Sequence, residues 1–117
     1  KANGRASAQG PAPRRRRGRA GEWSVQAFRS FVSGANKRTR EVIDAALKLG
    51  DGASSLALAE KLASSPHGIG KRIAKVAIDA EQFNDGLPVP VTFGGDRGHR
   101  LVVIDPSFQA AAQEVQR

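Results

Sequence analysis

Cysteine is absent from the 117-residue chain, which excludes disulfide bonds and thiolate-held metal sites and suits a reducing compartment. Long apolar runs are absent as well. None approaches the ~20 residues needed to cross a bilayer, and the N-terminal stretch lacks the apolar segment of a signal peptide. A soluble, cytoplasmic protein with no membrane partner is expected. The chain begins at Lys1 rather than at methionine, which leaves room for a longer parent protein. Acidic residues are missing from the first twenty positions, and so is any large apolar side chain.

What is present is unevenly spread. Positions 1–20 hold seven of the 19 bases, and the remaining twelve face all 11 acids from position 21 onward, so the leading stretch carries +7 of the net +8 and the rest +1. The polyanionic partner implied by the charge is therefore a partner of the leading stretch first. Any such role for the rest must come from where its charges lie. Positions 1–21, built from Gly, Pro, Ala, Ser and Arg, have nothing to offset the entropy of ordering and read as a disordered basic arm. The hydrophobic residues, 39% of the whole, concentrate from Trp23 onward, so 22–117 read as one folded domain.

Within that domain a helical stripe of Trp23, Ala27, Phe28, Phe31 and Val32 opens a first helix near Glu22 or Ser24. Its aromatics belong either to the core or to a homodimer contact. A second helix runs from about Asn36 to Leu49, with Thr39, Val42, Ile43, Ala46 and Leu47 on one face and Gly50 as its stop. Asp51 and Gly52 form a turn, and Ser54 or Ser55 caps a short third helix whose inward residues are expected to be Leu56, Ala59 and Leu62, with Leu58 a further candidate. Ser65 and Pro66 supply the cap and first position of a fourth helix, about 66–83, in which Ile69, Ile73, Val76, Ala77 and Ala80 recur at helical period. After Asn84-Asp85-Gly86 the period changes to two. Val89, Val91 and Phe93 mark a strand with prolines at a sheet edge, Gly94 to Gly98 a flexible turn, and Arg100 to Ile104 the return strand. Asp105-Pro106 opens a last helix with Phe108, Ala111, Ala112 and Val115 inward. The fold class is mainly α with a small β-hairpin.

This order resembles the winged helix-turn-helix domains of bacterial regulators over about positions 36–116. The most specific stretches are Leu58-Ala-Glu-Lys-Leu-Ala-Ser-Ser-Pro-His-Gly-Ile-Gly-Lys-Arg-Ile73 and Leu101-Val-Val-Ile-Asp-Pro-Ser-Phe108. In the arm, Pro13-Arg-Arg-Arg-Arg-Gly-Arg-Ala20 resembles an AT-hook, with Ala20 where a proline usually follows the core. The resemblance implies a double-stranded DNA partner for a transcriptional regulator or a nucleoid-associated architectural protein, with the fourth helix in the major groove and the hairpin, about 89–104, as its wing.

The residues support that partner without the family. With Ile69 at the centre of the inner face, His67, Lys71, Ala74 and Lys75 fall on the outer face and Gly68 and Arg72 on its flank. That small, basic surface suits base reading by His67, Lys71 or Arg72, with Lys75 on a phosphate and Ser65 and Gly68 at the helix entry. Arg97, His99 and Arg100 at the glycine-rich hairpin tip suit a minor groove or backbone, and Lys37, Arg38 and Arg40 suit phosphates. The arm adds Arg14, Arg15, Arg16, Arg17 and Arg19, either along a minor groove or as a solvated tail on phosphates. Each group reads equally as ordinary solvated surface. Pro66-His-Gly-Ile-Gly-Lys-Arg-Ile-Ala-Lys-Val-Ala-Ile78 also resembles a helix-hairpin-helix motif, a non-specific DNA binder in which Gly68 and Gly70 are loop residues with positive φ. RNA or a ribosomal surface is a further partner for the same charges, and a protein-interaction module is a third class.

No enzyme is expected. Gly68-Ile-Gly-Lys71 resembles a phosphate loop, but the glycine required five residues before Gly70 is Ser65 and the residue after the lysine is Arg72. His67 and His99 have no carboxylate or cysteine at ligand spacing, so neither metal nor cofactor is called for. Removing positions 1–21 is expected to weaken binding to any duplex DNA and to flatten its salt dependence. An unchanged salt slope would show that the arm does not touch phosphates.

Overall fold

A computed structural model describes residues 21–96 and 98–116. Arg14, Arg15, Arg16, Arg17, Arg19 and Arg97 lie outside the described residues. The described chain is mainly helical, with five helices and one small antiparallel sheet: α1 Val25–Gly34, α2 Lys37–Leu49, α3 Ser55–Lys61, α4 Pro66–Phe83, β1 Val91–Asp96, β2 His99–Ile104 and α5 Pro106–Val115. Each helix starts where a short polar side chain takes an otherwise orphaned N–H. Ser24, Asn36, Ser54, Ser65 and Asp105 accept from Ala27, Thr39, Ala57, Gly68 and Phe108. Pro66 and Pro106 follow their caps at the position where a missing N–H costs nothing.

The core is a single cluster to which every element contributes. Its aromatic part gathers Trp23, Phe28, Phe31 and Phe108, with Trp23 edge-on to Phe108 at 5.0 Å and stacked at 5.9 Å on Phe83, which is itself exposed. Trp23, Phe28 and Phe31 are therefore core, not an exposed dimer contact. Trp23 lies before α1 instead of on its stripe. Its backbone N–H donates to Ser107 Oγ and its indole to the Pro88 carbonyl, tying the chain entry to both ends of the hairpin. Gly21 donates to the Gly86 carbonyl at 3.3 Å, and a Cβ on Gly21 would lie 2.8 Å from that oxygen.

The sheet differs from expectation at both ends. The first strand begins at Val91, not Val89: the Asp105 N–H still donates to the Pro90 carbonyl, but proline has no N–H to return the bond and extend the ladder. At the tip the expected five-residue flexible turn is mostly strand. Pairing continues through Gly95–Arg100 to Asp96–His99. Gly95 has φ +88, and an added Cβ would come 2.7 Å from the His99 carbonyl, so only glycine carries the ladder through this point. A short third partner was not expected. Gly52 N donates to Val102 O, Val102 N to Ala53 O, and Ser54 bridges Leu101, while Asp51 Oδ1 accepts from Ile104 N.

That pairing sets the phase of α3. Leu56 and Leu58 are separated by about 200° around a helix and cannot share a face. With Ser54 held against β2, Leu58 and Ala59 turn inward. Leu58 is 0% exposed and Leu56, expected inward, is 64% exposed. Ala77, also expected inward, is half-buried. Leu58→Ala should cost about 2–5 kcal/mol in urea denaturation, whereas Leu56→Ala should stay within about 0.5 kcal/mol.

Candidate nucleic-acid interface

α4 carries the candidate site because its apolar stripe fixes which side faces out. Ile69, Ile73, Val76 and Ala80 are buried, so His67, Lys71, Ala74 and Lys75 lie exposed on the opposite side. Gly68 and Gly70 fall in the first turns of α4, and neither has a positive φ. The Gly-Ile-Gly segment is thus helix rather than the turn of a helix-hairpin-helix. Ser65 spends its side chain on the Gly68 N–H at 2.9 Å, and Gly68 is packed closely enough that a Cβ would meet the Ser64 and Ser65 hydroxyls at 3.0 Å.

The three cations of α4 have different fates. Lys71 is exposed. Arg72 is turned inward, its side chain 12% exposed, with one terminal nitrogen 3.1 Å from Glu41 Oε1 and 3.2 Å from the Arg38 carbonyl. Arg72, expected among the base readers, therefore ties α4 to α2. Lys75 is 54% exposed, and its Nζ lies 2.8 Å from Asp79 Oδ1. Asp79 in turn accepts from the buried Thr39 hydroxyl at 2.7 Å, a second tie between the two helices. Burial disfavours the Asp79 carboxylate, but the hydrogen bonds from Lys75 and Thr39 and the Lys75 charge outweigh it and hold its pKa below the ordinary value of 3.8.

These ties lay the beginning of α2 across α4 between Arg72 and Asp79, with Asn36 near Asp79, Gln82 and Phe83. Arg38, Lys71, Arg72 and Lys75 border a hollow of about 340 Å³ together with Asn36, Thr39, Ser64 and Gly68. Arg40, two residues beyond Arg38, lines a separate groove toward α1 with Arg29, so the basic residues opening α2 do not act as one cluster. Lys37 is exposed at the first position of α2. His99 and Arg100 are exposed at the hairpin tip.

α2 carries this charge at the wrong end for its own stability. A helix N-terminus bears about half a positive charge and favours acids by roughly 0.3–1 kcal/mol each. α2 opens with Lys37, Arg38 and Arg40, neither helix has an acid in its first turn, and α4 reaches its first acid only at Asp79.

Thr39, Glu41 and Asp79 were not legible as part of the site. The Lys75–Asp79 spacing of four was the one local signal; nothing in sequence couples Arg72 to Glu41. Among the described residues no group of three or more His, Cys, Asp or Glu is placed to hold a metal ion, and no helix is long and apolar enough to cross a membrane.

A carboxylate whose pKa is depressed on folding adds stability above its unfolded value, and that stability is lost as pH falls toward and through the native value. Asp79→Asn should therefore destabilise the domain at neutral pH, with the gap from the parent protein closing as pH falls below about 4. Urea titrations at a series of pH values check this, and a pH-independent gap would exclude ionisation of Asp79 as the cause. Comparison with family models, with curated proteins and with solved structures finds no match to this chain.

Proposed function

We propose that the chain is a double-stranded DNA-binding protein with a winged helix-turn-helix domain, acting as a transcriptional regulator or a nucleoid-associated architectural protein. The observation that carries this reading is the hollow between the start of α2 and the exposed face of α4, bordered by Arg38, Lys71 and Lys75. Cations gathered around one hollow repel one another, and a polyanion laid across them relieves that repulsion. The DNA backbone is such a polyanion.

The element order supports the same reading. α3 and α4 are joined by a four-residue turn, Leu62 to Ser65, and followed by an antiparallel hairpin whose tip exposes His99 and Arg100. In this reading α4 enters the major groove with His67 and Lys71 toward base edges, α2 approaches the backbone with Lys37 and Arg38, and the hairpin lies over the adjacent groove or strand. The basic arm adds affinity by counterion release. Arg72 contributes by holding α2 against α4 rather than by touching a base.

Two substitutions test the reading. Lys71→Glu should abolish preferential binding to the best duplexes recovered from a random-sequence selection, measured by fluorescence anisotropy. Preference for structured RNA over duplex DNA in competition would move the reading to RNA. Lys37→Glu places an acid at the first position of α2. It should raise the midpoint of urea unfolding, by roughly 0.3–1 kcal/mol of stability, while weakening DNA binding. Loss of both together would mean that Lys37 is structural.

A further inference from the structure

We infer that Asp79 is an internal rival of the DNA phosphates for Lys75, and that it holds down the affinity of the domain. This rests on the DNA-binding reading above and adds to it a residue that limits binding. Lys75 borders the α2–α4 hollow, yet its Nζ is 2.8 Å from Asp79 Oδ1, and the second oxygen of Asp79 is fixed by the Thr39 hydroxyl at 2.7 Å. The carboxylate is 16% exposed on its side chain, against 54% for Lys75. The anion is thus built into the helix interface while the cation is free to swing. Two oxygens bearing a negative charge and already fixed in place offer Lys75 what a phosphate would offer it.

Support of the helix does not account for the pair. A lysine four residues before an acid is the poorer orientation of an i,i+4 pair, and an acid in the last turns of a helix opposes the dipole. Asp44 and Lys48 on α2 show the favoured orientation at 3.3 Å, with both side chains about two-thirds exposed. Nor does the Thr39 hydroxyl require a charge, since an asparagine oxygen at position 79 accepts from it equally. What an ionised group at position 79 adds is a hold on Lys75. Lys71, one turn earlier on the same face, has no such partner among the described residues.

The test is a salt titration of binding to a random-sequence duplex DNA by the full chain and six variants: Asp79→Asn, Lys75→Ala, the two combined, Asp44→Asn, Lys71→Ala and Lys71→Glu. Asp79→Asn should tighten binding by roughly 1.5- to 5-fold, the span of a partly exposed ion pair. It should also steepen the salt slope by about 0.9, one added phosphate contact. The combined variant should lose that gain. Asp44→Asn, which makes the same change in net charge beside another lysine, should not reproduce it. Without recourse to position 79, Lys75→Ala should cost less affinity than Lys71→Ala. An unchanged or weaker Asp79→Asn, a gain that survives in the combined variant, or an equal gain from Asp44→Asn would overturn the inference. If Lys71→Glu leaves DNA binding intact, the DNA-binding reading fails. If Lys71→Glu weakens binding and Asp79→Asn behaves as the parent, only the role of Asp79 fails.

Discussion

Burial of Ile69, Ile73, Val76 and Ala80 sets the rotation of α4 about its own axis, and the functional surface follows from that rotation. One residue of slip turns a helix by 100°, which would lift isoleucines out of the core and press Lys71 toward it. Full burial of a side chain of that size stabilises by about 1.5–3 kcal/mol, so each large member of the stripe resists the slip. α3 and β1 pack on the same side as α2, and the aromatic cluster around Phe108 closes the core behind them. The cationic face is exposed because the other face is so fully used.

Rotation alone does not place α4 along or beside α2. Two polar ties do so on the edges of their contact: Arg72 with Glu41 and the Arg38 carbonyl, and Asp79 with Thr39. Directional bonds at two points along an otherwise non-directional apolar interface restrict sliding. The start of α2 and the basic face of α4 thereby border the same hollow. Arg72 is the instructive case. A guanidinium with only 12% of its side chain exposed has exchanged reach for geometry, and its planar set of donors suits it to join a carboxylate and a carbonyl at once. The neighbouring lysines have longer freedom and fewer fixed partners.

Much of this was legible from the chain because the decisive signals were local. Ser24, Asn36, Ser54, Ser65 and Asp105 stand directly before their helices, Pro66 and Pro106 directly after their caps, and the change from a helical to an alternating period after Gly86 marks the hairpin. Where expectation failed, a distant partner had decided the outcome. Leu56 points outward because Ser54 is paired to Leu101 across the domain. Trp23 leaves the helical stripe because Ser107 and Pro88 hold its two nitrogens. Arg72 leaves the outer face because Glu41 is within reach. None of these pairings leaves a trace in spacing, since each joins segments at least 31 residues apart. The candidate site shows the same division: its exposed cations were readable from helical period, and the network that restrains them was not.

The distribution of charge matters more than its sum. From position 21 onward the chain carries only +1, too little for long-range attraction to orient it by magnitude alone. Along α4, however, the bases Lys71, Arg72 and Lys75 precede the acids Asp79 and Glu81, and Asp85 follows in the turn, so the side chains form a charge dipole that runs the same way as the backbone dipole, positive toward Pro66. A polyanion approaching from the Pro66 end is attracted and one approaching from the Phe83 end is repelled. At physiological ionic strength the field decays over about 8 Å, so this contrast acts at the last step of docking, when it decides which end of the helix enters. The +7 of positions 1–20 joins the folded unit at Gly21, hydrogen-bonded to Gly86 next to the acidic end of α4. On the proposed reading, attraction and orientation are divided between two parts of one chain: positions 1–20 supply charge, and the domain supplies geometry with almost no net charge. On the proposed reading, Asp79 keeps that division by preventing the domain from gripping any backbone too firmly before its own geometry has been satisfied.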